Sequence, residues 1–277
     1  MKMAFFSNMK INKGEVIWET MKQIRELLML LLLASCSKLT ASTTVWMPMW
    51  QQKYIEEKAD SYCLSWRLGV ETNNIRAWRT VPTHCLRYVE NYMMRGQYER
   101  DVELIIDHVM DYVNDDVVLS NDGLDAWILD VDDTCLSNLF YYQGKRFGVD
   151  PYDPKGFHEW ASKGVCPAIP AVLRLYNKLI ESGFRVFLVT GRSESTLGQA
   201  TLYNLHNQGF LGYERLTLRE DQYEGMSSIV YKSEIRKKLV GEGYRIWGNV
   251  GDQWSDLQGE YIGNRTFKLP NPMYFVP

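Results

Sequence analysis

Two acidic clusters, each directly after a short apolar run, are the residues of this chain best suited to do chemistry. The first is Asp130-Val131-Asp132-Asp133-Thr134, which follows Ala126-Trp127-Ile128-Leu129. On a chain leaving a strand, Asp130 and Asp132 face one site while Val131 points away. Carboxylates this close repel unless a cation lies between them. A donor set made only of hard oxygens suits magnesium, which takes a few carboxylates and keeps several waters. The second cluster is Gly251-Asp252-Gln253-Trp254-Ser255-Asp256, after the apolar stretch 244–250. Asp252 and Asp256 are four apart and share one face of a first helical turn. They are candidates to complete the metal site, Asp252 directly and Asp256 directly or through water. Between the clusters lie Thr190, beside Gly191, and Lys232. A threonine hydroxyl can hydrogen-bond a phosphoryl oxygen and an ammonium can neutralise one. Taken singly, each of these features is ordinary; what distinguishes them is that three of the four close an apolar strand.

The elements that must position these residues read as alternating strands and helices. After the turn signal Asn121-Asp122-Gly123, strands are expected at 126–129, 184–189, 216–218 and 244–250. A helix opens at Pro170 with Val172, Leu175, Tyr176 and Leu179 inward and Gly183 as its stop. Others are expected over 193–207 and from near Lys232, with Ile235 and Leu239 inward. This alternation predicts an α/β fold, a Rossmann-like parallel sheet with helices on both faces, and ligands bind such sheets at the carboxyl ends of the strands. The stretch 54–118 reads as mostly helical, with Val102, Ile105, Ile106, Val109 and Val113 on one stripe. We therefore divide the chain into a leader (1–42), a mostly helical N-terminal region (43–122) and a catalytic core (123–277) with a small insert at 139–168. That insert is too short for a separate cap domain, which predicts an open site and broad specificity. Its aromatics Phe140, Tyr141, Tyr142, Phe147 and Tyr152 fit either substrate stacking or core packing.

The formal net charge of −3 offers no positive field for nucleic acid or an anionic membrane. Lys22 and Arg25 precede a short apolar run, 27–34, followed by small residues through Ser42, the pattern of a signal peptide. The run is too short for a stable membrane span. Met21 could be the true start, and Leu33-Ala34-Ser35-Cys36 also fits a lipoprotein cleavage box. Of five cysteines, Cys63, Cys85, Cys135 and Cys166 lie beyond the leader. Cys63 and Cys85 are either a disulfide of an oxidising compartment or two buried thiols. Cys135 reads as a buried thiol, and Asn264-Arg265-Thr266 is a glycosylation sequon.

The order of acidic pair, Thr, Lys and second acidic pair resembles the haloacid-dehalogenase superfamily of phosphotransferases. Within it the chain is similar to plant acid phosphatases of the vegetative-storage-protein type. Besides the four motifs, the resemblance includes Tyr62-Cys63-Leu64-Ser65-Trp66-Arg67, Val70-Glu71-Thr72-Asn73-Asn74, Val81-Pro82-Thr83-His84-Cys85, Leu136-Ser137-Asn138 and Pro270-Asn271-Pro272-Met273-Tyr274. It implies Asp130 as nucleophile, forming a phosphoaspartyl intermediate, and Asp132 as general acid and then base, with its backbone carbonyl on magnesium. Thr190, Gly191 and Lys232 would bind the phosphate, and Asp130, Asp132, Asp252 and Asp256 would form the metal site. Small phosphomonoesters as substrates, a homodimer and a secretory-pathway location, extracellular or vacuolar, are further expectations from the resemblance. Arg192 and Asn138 are second-tier candidates: Arg192 to contact phosphate or pair with a surface acid, Asn138 to orient Asp132 or substrate. Some storage-type members lack the nucleophile; here Asp130 is present, which predicts activity over a purely storage role.

Other phosphatase chemistries fit poorly. None of the four histidines, His84, His108, His158 and His206, stands in an Arg-His-Gly setting. Gly248-Asn249 is followed by Val250 where a binuclear purple-type site wants histidine, and no cysteine has an arginine six residues later. A response-regulator receiver carries its acidic pair ahead of a single phosphoacceptor on a later strand, and a leader would be out of place on it.

Overall fold

The computed structural model describes residues 20–26 and 49–277. Most of the leader reading, including the apolar run 27–34, Cys36 and Ser42, lies outside the described residues. Residues 20–26 are helical. Among the described residues, no helix is long and apolar enough to cross a membrane. The chain divides into Met1–Tyr54 and Ile55–Pro277, and the second unit carries the candidate site.

Five parallel strands form its centre: β1 Asp125–Asp130, β2 Arg185–Ser193, β3 Arg215–Arg219, β4 Arg245–Gly251 and β5 Arg265–Lys268, in the order β3-β2-β1-β4-β5. Every residue of β1 is buried, as a central parallel strand covered on both faces requires. That is why its sequence is a continuous apolar run. Its side chains nonetheless alternate in destination. Trp127 and Leu129 enter the larger core, while Ala126 and Ile128 enter a smaller one with Ile235 and Leu239. Gly248 in β4 leaves room for the Trp127 ring, which a Cβ at that position would overlap.

The larger core is covered partly by N-terminal helices: α1 Met49–Glu71, α2 Leu86–Met94 and α3 Gln97–Asp115. On α3 the stripe Val102, Ile106, Val109 and Val113 is buried, and Tyr112 meets Trp127 and Phe267 edge-on or tilted. Ile105 sits at the edge of the stripe, half-buried. Each fully buried aliphatic side chain stabilises by roughly 1.5–3 kcal/mol, so these helices serve as the lid of the sheet's core. A disulfide between Cys63 and Cys85, Cα atoms 5.4 Å apart, ties α1 to the turn before α2. The insert forms two short α-helices, α4 Leu139–Gly144 and α5 Pro154–Ala161, with a 3-10 turn over Arg146–Gly148 between them.

Next come α6 Pro170–Glu181, α7 Glu194–Asn207, α8 Ser228–Gly241 and the four-residue α9 Trp254–Leu257. Three details depart from the sequence reading. Helix α8 starts four residues before Lys232, because Ser227 caps it by accepting from the Val230 N–H at 3.4 Å. Strand β2 runs past Thr190 to Ser193, with a register shift against β3. The edge strand β5 carries a single buried residue, Phe267, and so left no apolar run to recognise.

Candidate active site

Asp130 is the last residue of β1, and the chain then folds into a tight turn. The Leu136 N–H reaches the Val131 carbonyl at 2.8 Å, and the Asp133 N–H reaches the Leu136 carbonyl at 2.7 Å. Asp133 takes a positive φ of 56°, a conformation that Asp tolerates better than most residues. Val131 is buried in the core, so Asp130 and Asp132 are left facing the same cavity, of about 490 Å³. Thr134 joins this turn to the end of β4, accepting from the Asp252 N–H at 3.1 Å.

Gly251 makes the second acidic cluster possible. A Cβ there would lie 2.5 Å from Asp256 Cβ, so only glycine lets Asp256 fold back beneath the strand end. Asp256 Oδ2 then accepts from the Gln253 N–H at 2.9 Å, one half of a capping box on α9. Asp252 Oδ2 accepts from Gln253 Nε2 and from Asn271 Nδ2, both at 2.7 Å. Oxygens of Asp130, Asp252 and Asp256 all lie within 4.8 Å of one another. The buried Lys232 of α8 faces the same group: its Nζ donates to Asp256 Oδ1 at 2.6 Å and also to Asp130 Oδ1.

The Asp132 carboxylate belongs to a different cluster. It accepts from Arg192, from Asn138 Nδ2 at 2.8 Å and from Thr190 Oγ1 at 3.2 Å. Of the residues expected to meet phosphate, Gly191 and Lys232 line the cavity. Thr190 is fully buried, with its hydroxyl on Asp132. Arg192 also lines the cavity, and its partner is this cavity acid; it does not pair with a surface one. Asn138 does orient Asp132, and Cys135 is a buried thiol.

Burial sets the electrostatics. It pushes Asp130 well above the usual carboxylate range, with the Lys232 ammonium pulling the other way. Burial, then the neighbouring Asp256 and Asp133 carboxylates, raise Asp252 to about 8. Burial raises Asp133 to about 7, against hydrogen bonds from the Asn138 N–H and the Tyr274 hydroxyl. Burial also acts on Asp132, but the Arg192 guanidinium outweighs it and holds that carboxyl below its ordinary value. For Lys232 burial opposes the charge, and the Asp130 and Asp256 carboxylates more than restore it.

A divalent cation fits these residues. Five carboxylates gather here, with Asp130, Asp133, Asp252 and Asp256 buried and Asp132 about one-fifth exposed. The buried cations near them are Lys232, Arg192 and Arg236; with all five acids ionised, five minus three leaves two negative charges, the charge of one such ion, and without it the raised Asp130, Asp133 and Asp252 hold protons instead. The Ser255 hydroxyl lines the same cavity, buried and without a protein partner among the described residues, where a metal-bound water or phosphoryl oxygen would satisfy it.

The sequence reading passed over several residues of the site. Tyr274 donates to Asp133 at 2.8 Å and stacks on Tyr142, ring centroids 4.8 Å apart. Asn271 stands between two prolines and reads as a turn, yet it supports Asp252. Of the insert's aromatics, Tyr142 and Tyr152 line the cavity with Phe157, whereas Phe147 is buried in the core and Phe140 is largely exposed.

The profile of the HAD superfamily, subfamily IIIB (Acid phosphatase) matches residues 50–277. Acid phosphatase 1 of Solanum lycopersicum is 45% identical over 214 residues, covering 77% of this chain and 83% of that protein. Vegetative storage protein 2 of Arabidopsis thaliana is 40% identical over 217 residues, 78% of this chain and 80% of its own. The class C acid phosphatase of Bacillus anthracis shares the fold with a TM-score of 0.57 at 20% identity, covering 69% of this chain and 84% of that one.

Proposed function

The chain belongs to subfamily IIIB of the HAD superfamily, the acid phosphatases, and we propose that it hydrolyses small phosphate monoesters with magnesium through a phosphoaspartyl intermediate on Asp130. The observation that carries this reading is the meeting of Asp130, Asp252 and Asp256 oxygens within 4.8 Å, beside Lys232 and at the wall of the 490 Å³ cavity.

In the first half-reaction an Asp130 oxygen bonds to phosphorus as the ester oxygen leaves, and Asp132 gives that oxygen a proton. In the second, water attacks the phosphorus of the acyl phosphate, Asp132 takes its proton, and Asp130 is freed. Lys232, buried against Asp130 and Asp256, neutralises charge on the transferring group, while the Gly191 peptide and the Thr190 hydroxyl, once turned from Asp132, would donate hydrogen bonds to its oxygens. Asp130, Asp252, Asp256 and the Asp132 carbonyl would hold magnesium, which when bound draws charge from the phosphoryl oxygens. Tyr142, Tyr152 and Phe157 leave the cavity broad enough for varied leaving groups.

We assign the protein to the secretory route, extracellular or vacuolar. The signal-peptide pattern, the Cys63–Cys85 disulfide and the exposed Asn264 sequon support it, together with similarity to the Stem 31 kDa glycoprotein of Glycine max, 38% identical. Nitrogen storage can accompany catalysis; abundance under nitrogen supply and withdrawal measures that role separately.

The test uses the mature chain and a chromogenic aryl phosphate, with and without chelator. Activity should vanish on metal removal, return with magnesium, and fall to background in Asp130→Asn. A rate equal to that of Asp130→Asn, or one that survives complete chelation, would reject the mechanism.

A further inference from the structure

We propose that Arg192 is the positioning residue for the proton shuttle, fixing Asp132 Oδ1 so that Oδ2 alone exchanges a proton with substrate and water. The proposal rests on Asp132 being the general acid and base.

Asp132 Oδ1 accepts from Arg192 Nη2 at 2.7 Å and from Asn138 Nδ2 at 2.8 Å. Arg192 Nε lies between the two oxygens, 3.1 Å from Oδ1 and 3.0 Å from Oδ2, and Oδ2 also accepts from Thr190 Oγ1 at 3.2 Å. A carboxylate offers about four lone-pair sites, so the side chain is saturated by protein donors. These donors differ in freedom. The Arg192 side chain is 1% exposed, and its Nη1 is anchored on Thr201 Oγ1 of α7 at 3.2 Å. Asn138 is fixed through its own Oδ1, which accepts from Trp160 Nε1 at 3.0 Å. Thr190 alone donates through a hydroxyl, which turns about one bond, and its contact is the longest of these five.

A phosphoryl oxygen that takes the Thr190 proton would therefore uncover one lone pair, on Oδ2, and leave Oδ1 locked. In the first half-reaction the proton carried in by a monoanionic phosphate ester moves to Oδ2, and from Oδ2 to the ester oxygen as its bond to phosphorus breaks and the Asp130–phosphorus bond forms. In the second, the attacking water's proton returns to Oδ2 as the Asp130–phosphorus bond breaks. The planar fork of Arg192 prevents rotation that would exchange the two oxygens; a lysine ammonium keeps the charge but not the fork.

The experiment compares phenyl phosphate, whose leaving group needs a proton, with 2,4-dinitrophenyl phosphate, whose leaving group does not. Asp132→Asn is expected to lose about 10²–10⁴-fold in kcat/KM on phenyl phosphate and at most about tenfold on the dinitrophenyl ester. Arg192→Lys should lose at least about tenfold on phenyl phosphate and less than about threefold on the other. The double variant should be no slower on phenyl phosphate than Asp132→Asn, because the two residues act as one unit. Equal losses of Arg192→Lys on both esters, or losses that multiply with those of Asp132→Asn, would overturn the proposal. If Asp132→Asn itself fails to distinguish the esters, the reading of Asp132 falls and this proposal with it. Should Arg192→Lys not fold by near-ultraviolet circular dichroism, Asn138→Ala removes the other Oδ1 donor and must show the same leaving-group pattern.

Discussion

Gly251→Ala adds one methyl group and removes no functional atom, so its effect isolates what geometry contributes to the site. The new Cβ would lie 2.5 Å from Asp256 Cβ and 2.8 Å from Asp256 Cγ. Carbon atoms settle at about 3.5–4.0 Å, so Asp256 must retreat by roughly 1 Å. Retreat pulls Oδ1 away from Lys232 Nζ and Oδ2 away from the Gln253 N–H, and it widens the group formed with Asp130 and Asp252. A displacement of that size at a reacting centre costs about 10²-fold in kcat/KM, or about 2.7 kcal/mol on the barrier. Overpacking also costs about 1–3 kcal/mol of stability, at about 2–4 °C in Tm for each kcal/mol in a chain of this size. The measurements are kcat/KM on a chromogenic ester at saturating magnesium, magnesium affinity by calorimetry and Tm by calorimetric scan. Gly241→Ala is the control, since no atom lies within 4 Å of its new Cβ. Magnesium affinity and kcat/KM within about threefold of the parent in Gly251→Ala, a barrier change under about 1 kcal/mol, would refute the argument that Asp256 must sit beneath the strand end.

Asp252 and Asp133 hold their protons to about pH 8 and 7, whereas unfolded carboxyls release theirs near pH 3.9. The folded state therefore binds more protons in that window, and the metal-free protein loses stability as pH rises from about 4 to 8. Magnesium on Asp252 displaces that proton, so the rise in Tm on adding it should be larger at pH 8 than at pH 5; an equal rise at both would contradict the assignment. Asn271→Leu removes a donor from Asp252 Oδ2 and should weaken magnesium binding about 10–100-fold, measured by calorimetry, with unchanged affinity as the contrary result. Replacing Cys63 and Cys85 together by serine opens a link of sequence separation 22 and should cost about 3 kcal/mol by urea unfolding while kcat/KM holds, since the pair lies outside the cavity.

The strands that end in chemistry were legible because a central parallel strand must be apolar throughout. Residues 126–129 and 244–250 announce β1 and β4, and the acids follow directly. The edge strand β5 was not, since Arg265-Thr266-Phe267-Lys268 buries only Phe267 and carries no periodic signal. The site divided the same way. Asp130, Asp132, Lys232, Asp252 and Asp256 could be proposed from residue type and strand position. Asn271, Tyr274 and Arg192 could not be placed, because their partners are long-range: Asn271 reaches Asp252 and Tyr274 reaches Asp133 only through the path of the folded chain. Arg192 was visible as a charge beside Thr190. Nothing local indicates that its guanidinium turns inward to an acid 60 residues earlier.

Asp130 and Asp132 leave the same strand two residues apart, and the fold gives them opposite surroundings. Asp130 is desolvated among carboxylates, where a cation or the Lys232 ammonium must stabilise its charge. Asp132 is clasped by a guanidinium, two further side-chain donors and little else. Environment of this kind separates the roles of chemically identical groups. A carboxylate whose charge is held by a removable ion is suited to bond formation with phosphorus. One held by a fixed fork keeps its orientation through both halves of the cycle, and this is what a proton carrier needs when the same atom must give a proton to one oxygen and later take one from another.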